Sequence, residues 1–187
     1  MWDDVGYAGV GIESWHVLVP VLAVWFAVLL VRAARGRPGW TGPHLVTRAV
    51  VALYVAGVAH FTLFPIDVQR GPYANGAPWW SQVNPVPLLT ADAPSFALNV
   101  VMLVPFGVLL PLVAARAVSA GRAAVASLAF SGAIEVAQLL VYVVAGSGRS
   151  VDVNDLLANT LGGVLGYLLV RSLPALHRTA LPGSSLA

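Results

Sequence analysis

Residues 93–115 read APSFALNVVMLVPFGVLLPLVAA, with no charged side chain between Asp92 and Arg116. As a helix this run reaches roughly 35 Å at 1.5 Å per residue, enough to cross a ~30 Å hydrocarbon core. Four more stretches have the same character, at 15–31, 49–66, 123–145 and about 153–170. Glu135 in the fourth run and Asp155 at the start of the fifth are the charges inside them. One such run is compatible with the buried helix of a large soluble protein. Five in 187 residues leave too little polar surface for a shell in water. The predicted fold is therefore all-α: a polytopic membrane protein built as a bundle of five transmembrane helices.

Composition agrees. Hydrophobic residues make up 58% of the chain and charged ones 10%, against roughly 25% charged in soluble domains. The length suits one domain, taken as 1–172, followed by a short tail over 173–187. Pro174, Pro182 and Gly183-Ser184-Ser185 lead us to expect that tail to be mobile. Cysteine is absent, which removes disulfides and thiolate metal sites. The start of the chain has neither the basic residues nor the small-residue cleavage site of a signal peptide, so the first helix is expected to stay in the mature protein.

Charge sorts by loop. All ten basic residues are arginine and the pI is about 9.4, which in a soluble protein would suggest nucleic acid. Here the arginines gather at the ends of apolar runs, so membrane orientation accounts for them and no nucleic-acid partner is expected. Arg32, Arg35, Arg37 and Arg48 surround the first connection, Arg116 and Arg122 the third, and Arg171 and Arg178 lie in the tail, all without an acid. Asp3, Asp4, Glu13, Asp67, Asp92, Asp152 and Asp155 fall on the other side, with Arg70 and Arg149. By the positive-inside rule the N-terminus is outside and the C-terminus inside, in a multi-pass membrane protein.

Polar side chains inside a membrane are costly and turn towards the bundle interior or a wet cavity. On the fourth helix Ser131, Glu135, Gln138 and Tyr142 share one face by their spacing; on the fifth, Asp152, Asp155, Asn159 and Gly162, Gly163 and Gly166 form a similar stripe. The third helix brings Asn99 near its start and a Pro105-Phe106-Gly107 break at which the Val101 carbonyl loses its donor. His60 lies about a turn before Phe64-Pro65. Each has a plainer reading: Asp152 and Asp155 as helix caps, Gly162 and Gly166 as a packing pair, Asn99 and Asn159 as interhelical glue, His60 as a donor to a nearby carbonyl. Glu135 resists this, because a charge at the centre of a membrane helix costs roughly 2.5–3.5 kcal/mol on insertion scales.

The ordered set of Phe64-Pro65 with Asp67, Asn84-Pro85-Val86-Pro87, Asn99 with Pro105-Phe106-Gly107, Glu135 with Gln138, and Arg149-Ser150 with Asp152, Asp155, Asn159 and Gly162-Gly163 resembles the VanZ-like family of bacterial membrane proteins. The resemblance covers about residues 45–172. Leu88 departs from it, standing where the family often has an aromatic, and the first helix carries no signature. For the family's namesake the resemblance implies a link with resistance to teicoplanin, a glycopeptide antibiotic with a lipid tail.

These residues suggest a pocket open to the outer leaflet that binds or modifies a lipid-linked or cell-envelope substrate or a lipid-tailed glycopeptide. Glu135, Asp152 and Asp155 are the candidate catalytic carboxylates, Arg149 is a clamp for an anion, and Asn99, Gln138, Asn159, His60, Asp67 and Asn84 are candidate binding residues. Neither a G-x-S-x-G elbow nor an H-E-x-x-H pair is present, no cofactor is implied, and no spacing marks a metal site. Membrane lipids are the expected partners. Two competing readings are a small proton- or ion-coupled carrier with Glu135 as relay, which lacks the inverted repeat of such proteins, and a non-catalytic scaffold whose polar residues only specify packing.

Overall fold

The computed structural model describes residues 10–69, 76–114 and 118–173. Asp3, Asp4, Arg70, Arg116, Arg178 and the proposed tail beyond Leu173 lie outside the described residues. Among the described residues, five helices are long and apolar enough to cross a membrane: α1 (Ser14–Ala34), α2 (Pro43–Leu63), α3 (Ala93–Val113), α4 (Ala120–Ala145) and α5 (Val153–Ser172). Each overlaps one of the five apolar runs, α2 beginning at Pro43 and so taking in Arg48, and ending at Leu63. Their outer faces expose residues such as Val24, Leu53, Val101, Val125 and Leu169, an arrangement suited to contact with lipid.

Short strands join the connections. β1 (Val10–Ile12) pairs antiparallel with β2 (Ile66–Val68), and β3 (Val83–Asn84) pairs in parallel with β4 (Val151–Asp152), with a 3₁₀ turn at Trp79–Gln82 just before β3. All four strands lie at the end of the bundle where α3 and α5 begin, called here the loop end. Arg32, Arg35, Arg37, Arg48, Arg122 and Arg171 flank helix ends on the opposite side, the arginine end. Exposed Trp15, Trp79 and Trp80 sit at the loop end and Trp40 at the arginine end, as expected of aromatic residues at the two interfaces.

The helix starts are capped by local polar chemistry. Asp92 accepts from the amide and hydroxyl of Ser95 at the head of α3, and those two bonds hold its carboxyl below its ordinary pKa. Ser119 accepts from the Arg122 amide at the head of α4. At the far end of α4, Gly146 takes φ 70 and returns its N–H to the Tyr142 carbonyl, the left-handed cap that glycine adopts without a Cβ penalty.

The closest packing is between α3 and α5, and glycine explains it. A Cβ on Gly162 would strike the Val100 carbonyl, one on Gly166 the Val104 carbonyl, and one on Gly107 the Gly163 carbonyl. The two backbones thus touch along the small-residue stripe. Between α3 and α4, Phe106 stacks on Phe130 with centroids 4.8 Å apart, beside a core of Val58, Leu103 and Ile134. Pro105 is carried within a continuous α3, and the Tyr54 hydroxyl of α2 donates to the Met102 carbonyl at 3.0 Å. That hydroxyl meets the carbonyl one residue past Val101, whose own helical donor Pro105 removes. Helix α1 is peripheral: Leu29 is its one buried residue, and it packs on α2.

Candidate functional site

The site follows from where α5 begins. Glu135 of α4 accepts a hydrogen bond from the backbone N–H of Asp152 at 3.1 Å. Glu135 lies ten residues before Ala145, the last residue of α4, so it sits roughly 15 Å below the end of that helix at 1.5 Å per residue. After Gly146 the chain must therefore turn back and descend beside α4 before α5 starts. Asp152 and Asp155, at the start of α5, are thereby drawn in beside Glu135.

That depth explains Glu135. Its side chain is only 4% exposed, and a buried polar group needs a partner. An N–H at the start of a helix has no acceptor within the helix and lies at the positive end of its dipole, so a carboxylate is a suitable acceptor there. The cost of the acid is offset in part by the donor it satisfies.

Around this contact the network is built mainly from amides. Asp152 caps α5, its Oδ1 accepting from the Asn154 amide at 2.8 Å. Parallel pairing of β3 with β4 sets Asn84 opposite Asp152, and Asn84 Nδ2 donates to Asp152 Oδ2 at 3.0 Å. From the second turn of α3, Asn99 donates to Asp155 Oδ1. Thus Glu135, Asp152, Asp155, Asn84 and Asn99 meet at one place, drawn from α3, α4, α5 and the loop before α3. Asp152 and Asp155 stay partly exposed, leaving acceptor capacity for a molecule that enters.

One further residue organises this place without having stood out in the sequence. Asn154, 3% exposed, accepts from the Leu88 amide at 2.6 Å and donates to the Val86 carbonyl and the Thr90 hydroxyl, each at 3.3 Å. It therefore fastens the Asn84-Pro85-Val86-Pro87 loop over the start of α5. Leu88 has φ 64, a conformation unfavourable for leucine. The hydrogen bond from its N–H to Asn154 Oδ1 helps hold it there. The available signal was the run Asp152-Val153-Asn154-Asp155, with three polar residues in four at a helix start.

The other candidates lie around or apart from this cluster. Asn159 is buried below it and donates to the Ser131 hydroxyl at 2.9 Å. Gln138 donates to the Thr62 carbonyl at 3.1 Å, joining α4 to the end of α2. The Arg149 guanidinium donates to the Phe64 carbonyl at 2.7 Å. Among the described residues, Arg149 makes its side-chain hydrogen bond there and not with Asp152 or Asp155. His60 and Asp67 do not join the cluster: His60 is exposed and bonds Ser14 of α1 at 2.8 Å, and Asp67 is exposed on β2 opposite Gly11. Among the described residues no three His, Asp or Glu side chains are grouped to hold a metal ion.

A family model, VanZ/LLP1, matches residues 18–174. The chain belongs to the VanZ/LLP1 family. No curated protein and no solved structure matches it.

In this VanZ/LLP1 protein the match begins within α1, well before the resemblance read from motifs at about residue 45, and takes in every candidate residue. Its fold places the five-residue cluster within the bundle at the loop end. Carboxylates and primary amides predominate there, a set able to accept from hydroxyl or ammonium groups and to donate through the asparagine Nδ2 atoms.

Proposed function

We propose that this VanZ/LLP1 protein of the bacterial cytoplasmic membrane binds the polar headgroup of a lipid-linked or cell-envelope molecule at the start of α5. The convergence of Glu135, Asp152, Asp155, Asn84 and Asn99 supports this reading more than any other observation. Of these, Asp152 and Asp155 are partly exposed and would meet the headgroup directly. Their chemistry favours a headgroup rich in hydroxyl or amine donors, as on a sugar or a lipid-tailed glycopeptide, over a bare phosphate. In the orientation inferred from charge the loop end faces outwards, so the ligand would come from the outer leaflet.

Roles divide along the same lines. Asp155 and Asp152 accept from the headgroup, Asn99 and Asn84 orient them, and Asn154 holds the covering loop. Glu135 anchors the start of α5, and it is the group best placed to exchange a proton if the ligand is also modified. Arg149 secures the 146–150 segment to the end of α2.

A lipidomic comparison tests this. Parent protein extracted with native lipid should retain a species with a hydroxyl- or amine-rich headgroup. Asp155→Asn keeps the side-chain size but loses the charge and one acceptor, and we expect retention to fall by about tenfold, since a hydrogen bond to a charged group contributes about 1.5–3 kcal/mol. Equal retention by the two proteins, at matched folding, would contradict the proposal.

One observation favours a second reading. Ser131 and Ser127 lie one and two turns further into the bundle from Glu135, both fully buried, and among the described residues the Ser127 hydroxyl and the Asn159 Oδ1 have no partner. Such a polar column suits a proton relay, and proton flux through reconstituted liposomes that is lost in Glu135→Gln would favour the carrier.

A further inference from the structure

A cavity of about 730 Å³ shares no lining residue with the carboxylate cluster. It is an apolar groove walled by Leu22 and Trp25 of α1, Val51 and Ala56 of α2 and Leu112 near the end of α3. The small side chains of Ala52, Ala56 and Ala59 keep it open along α2. From His44 to Ala59 its α2 wall runs roughly 22 Å at 1.5 Å per residue, more than one leaflet of a ~30 Å hydrocarbon core.

Charge is confined to one end. His44, Thr47 and Arg48 line the groove where it meets the arginine end. Arg48 donates to the Gly39 carbonyl and rests its guanidinium on Trp40, 4.2 Å from the ring centroid, while Arg32 lies 4.6 Å from the same centroid. Two arginines are thus held against one indole beside the groove mouth. Arg48 gives one contact to Gly39 and carries five N–H donors in all, leaving donors for an anion. Residues 32–48 contain no acid to neutralise this cluster.

We propose that the groove binds one anionic phospholipid from the leaflet at the arginine end, with an acyl chain between α1 and α2 and the phosphate on Arg48 and His44. An apolar channel of leaflet length that ends in fixed cations matches both halves of such a lipid. A second copy of this chain in the same orientation would bring its own arginines to the same level, where like charges repel, so a lipid is the better occupant. The site is separate from the headgroup cluster at the loop end and does not depend on that assignment.

Native mass spectrometry of the full chain, released from micelles doped with phosphatidylglycerol or phosphatidylcholine, tests the proposal. The parent should retain one phosphatidylglycerol per chain and favour it over phosphatidylcholine by about fivefold, the equivalent of about 1 kcal/mol for a basic residue at a membrane surface. Arg48→Gln keeps an N–H for the Gly39 carbonyl and removes the charge; it should abolish that preference. Ala56→Trp fills the groove and keeps every arginine, and it should remove the adduct. Should Ala56→Trp fail to fold, Leu22→Trp fills the groove from the opposite wall and should give the same loss. Equal retention of the two lipids by the parent, or full retention of phosphatidylglycerol after the groove is filled, would overturn the proposal.

Discussion

Gly162→Ala should destabilise the folded protein by about 1–3 kcal/mol, the usual range for overpacking, and the double variant Gly162→Ala/Gly166→Ala should leave little folded chain in detergent. Alanine normally exceeds glycine in a helix by roughly 0.8–1.0 kcal/mol, so propensity alone predicts the opposite sign. Packing decides the outcome. The added methyl groups would meet the Val100 and Val104 carbonyls of α3, which are backbone atoms and cannot rotate away as a side chain can. Relief requires α3 and α5 to separate, and with them the Asn99–Asp155 contact that joins the same helices. Gly132 and Gly57 supply the control, because a Cβ at either position meets nothing within 4 Å. Thermal unfolding followed by size-exclusion chromatography should show Gly132→Ala and Gly57→Ala at or above parent stability. If all these alanines behaved alike, backbone contact between α3 and α5 would be the wrong account of their packing.

Glu135→Ala should be the next most damaging single change. It removes the acceptor of the Asp152 N–H at the partly buried start of α5, and an unsatisfied buried donor costs up to about 1–3 kcal/mol. It also releases Asp152 from the position in which it meets Asn84. Glu135→Gln keeps an acceptor oxygen, so this variant should fold within about 1 kcal/mol of the parent, the net worth of a typical hydrogen bond. Its loss of ionisation should nevertheless weaken ligand retention. The pair separates two roles: stability reports the anchoring bond, and retention by the folded Gln variant reports the charge. Parent-like stability of Glu135→Ala would remove the anchoring role. Parent-like retention by Glu135→Gln would remove the need for charge.

These two cases also show what was legible in the sequence. The five helices were, since apolar length and capping chemistry are local properties. The Gly162 and Gly166 stripe was legible too, because its spacing puts both residues on one face whatever the partner. The depth of the site was not. It depends on a descending segment whose geometry is set by contacts between residues distant in sequence, such as Asn84 with Asp152, 68 positions apart. Asn154 escaped notice for a related reason: it lies off the helical stripe of Asp152, Asp155 and Asn159, and only the docked 86–90 loop gives its face a partner. His60 was drawn towards the site by its closeness to Phe64-Pro65. Two residues along a helix are about 200° apart, so His60 meets α1 while the Thr62 carbonyl meets α4.

The orientation of the loop end decides which side of the membrane supplies the headgroup, and Leu88 allows a direct test. It is 67% exposed on the loop fastened over the start of α5, and the parent has no cysteine to interfere. In intact cells, Leu88→Cys should react with a membrane-impermeant maleimide to the same extent as after permeabilisation, placing the carboxylate cluster on the outer side where an envelope ligand would reach it. Labelling of Leu88→Cys only after permeabilisation would put the cluster on the cytoplasmic side and contradict a site for an outer-leaflet ligand.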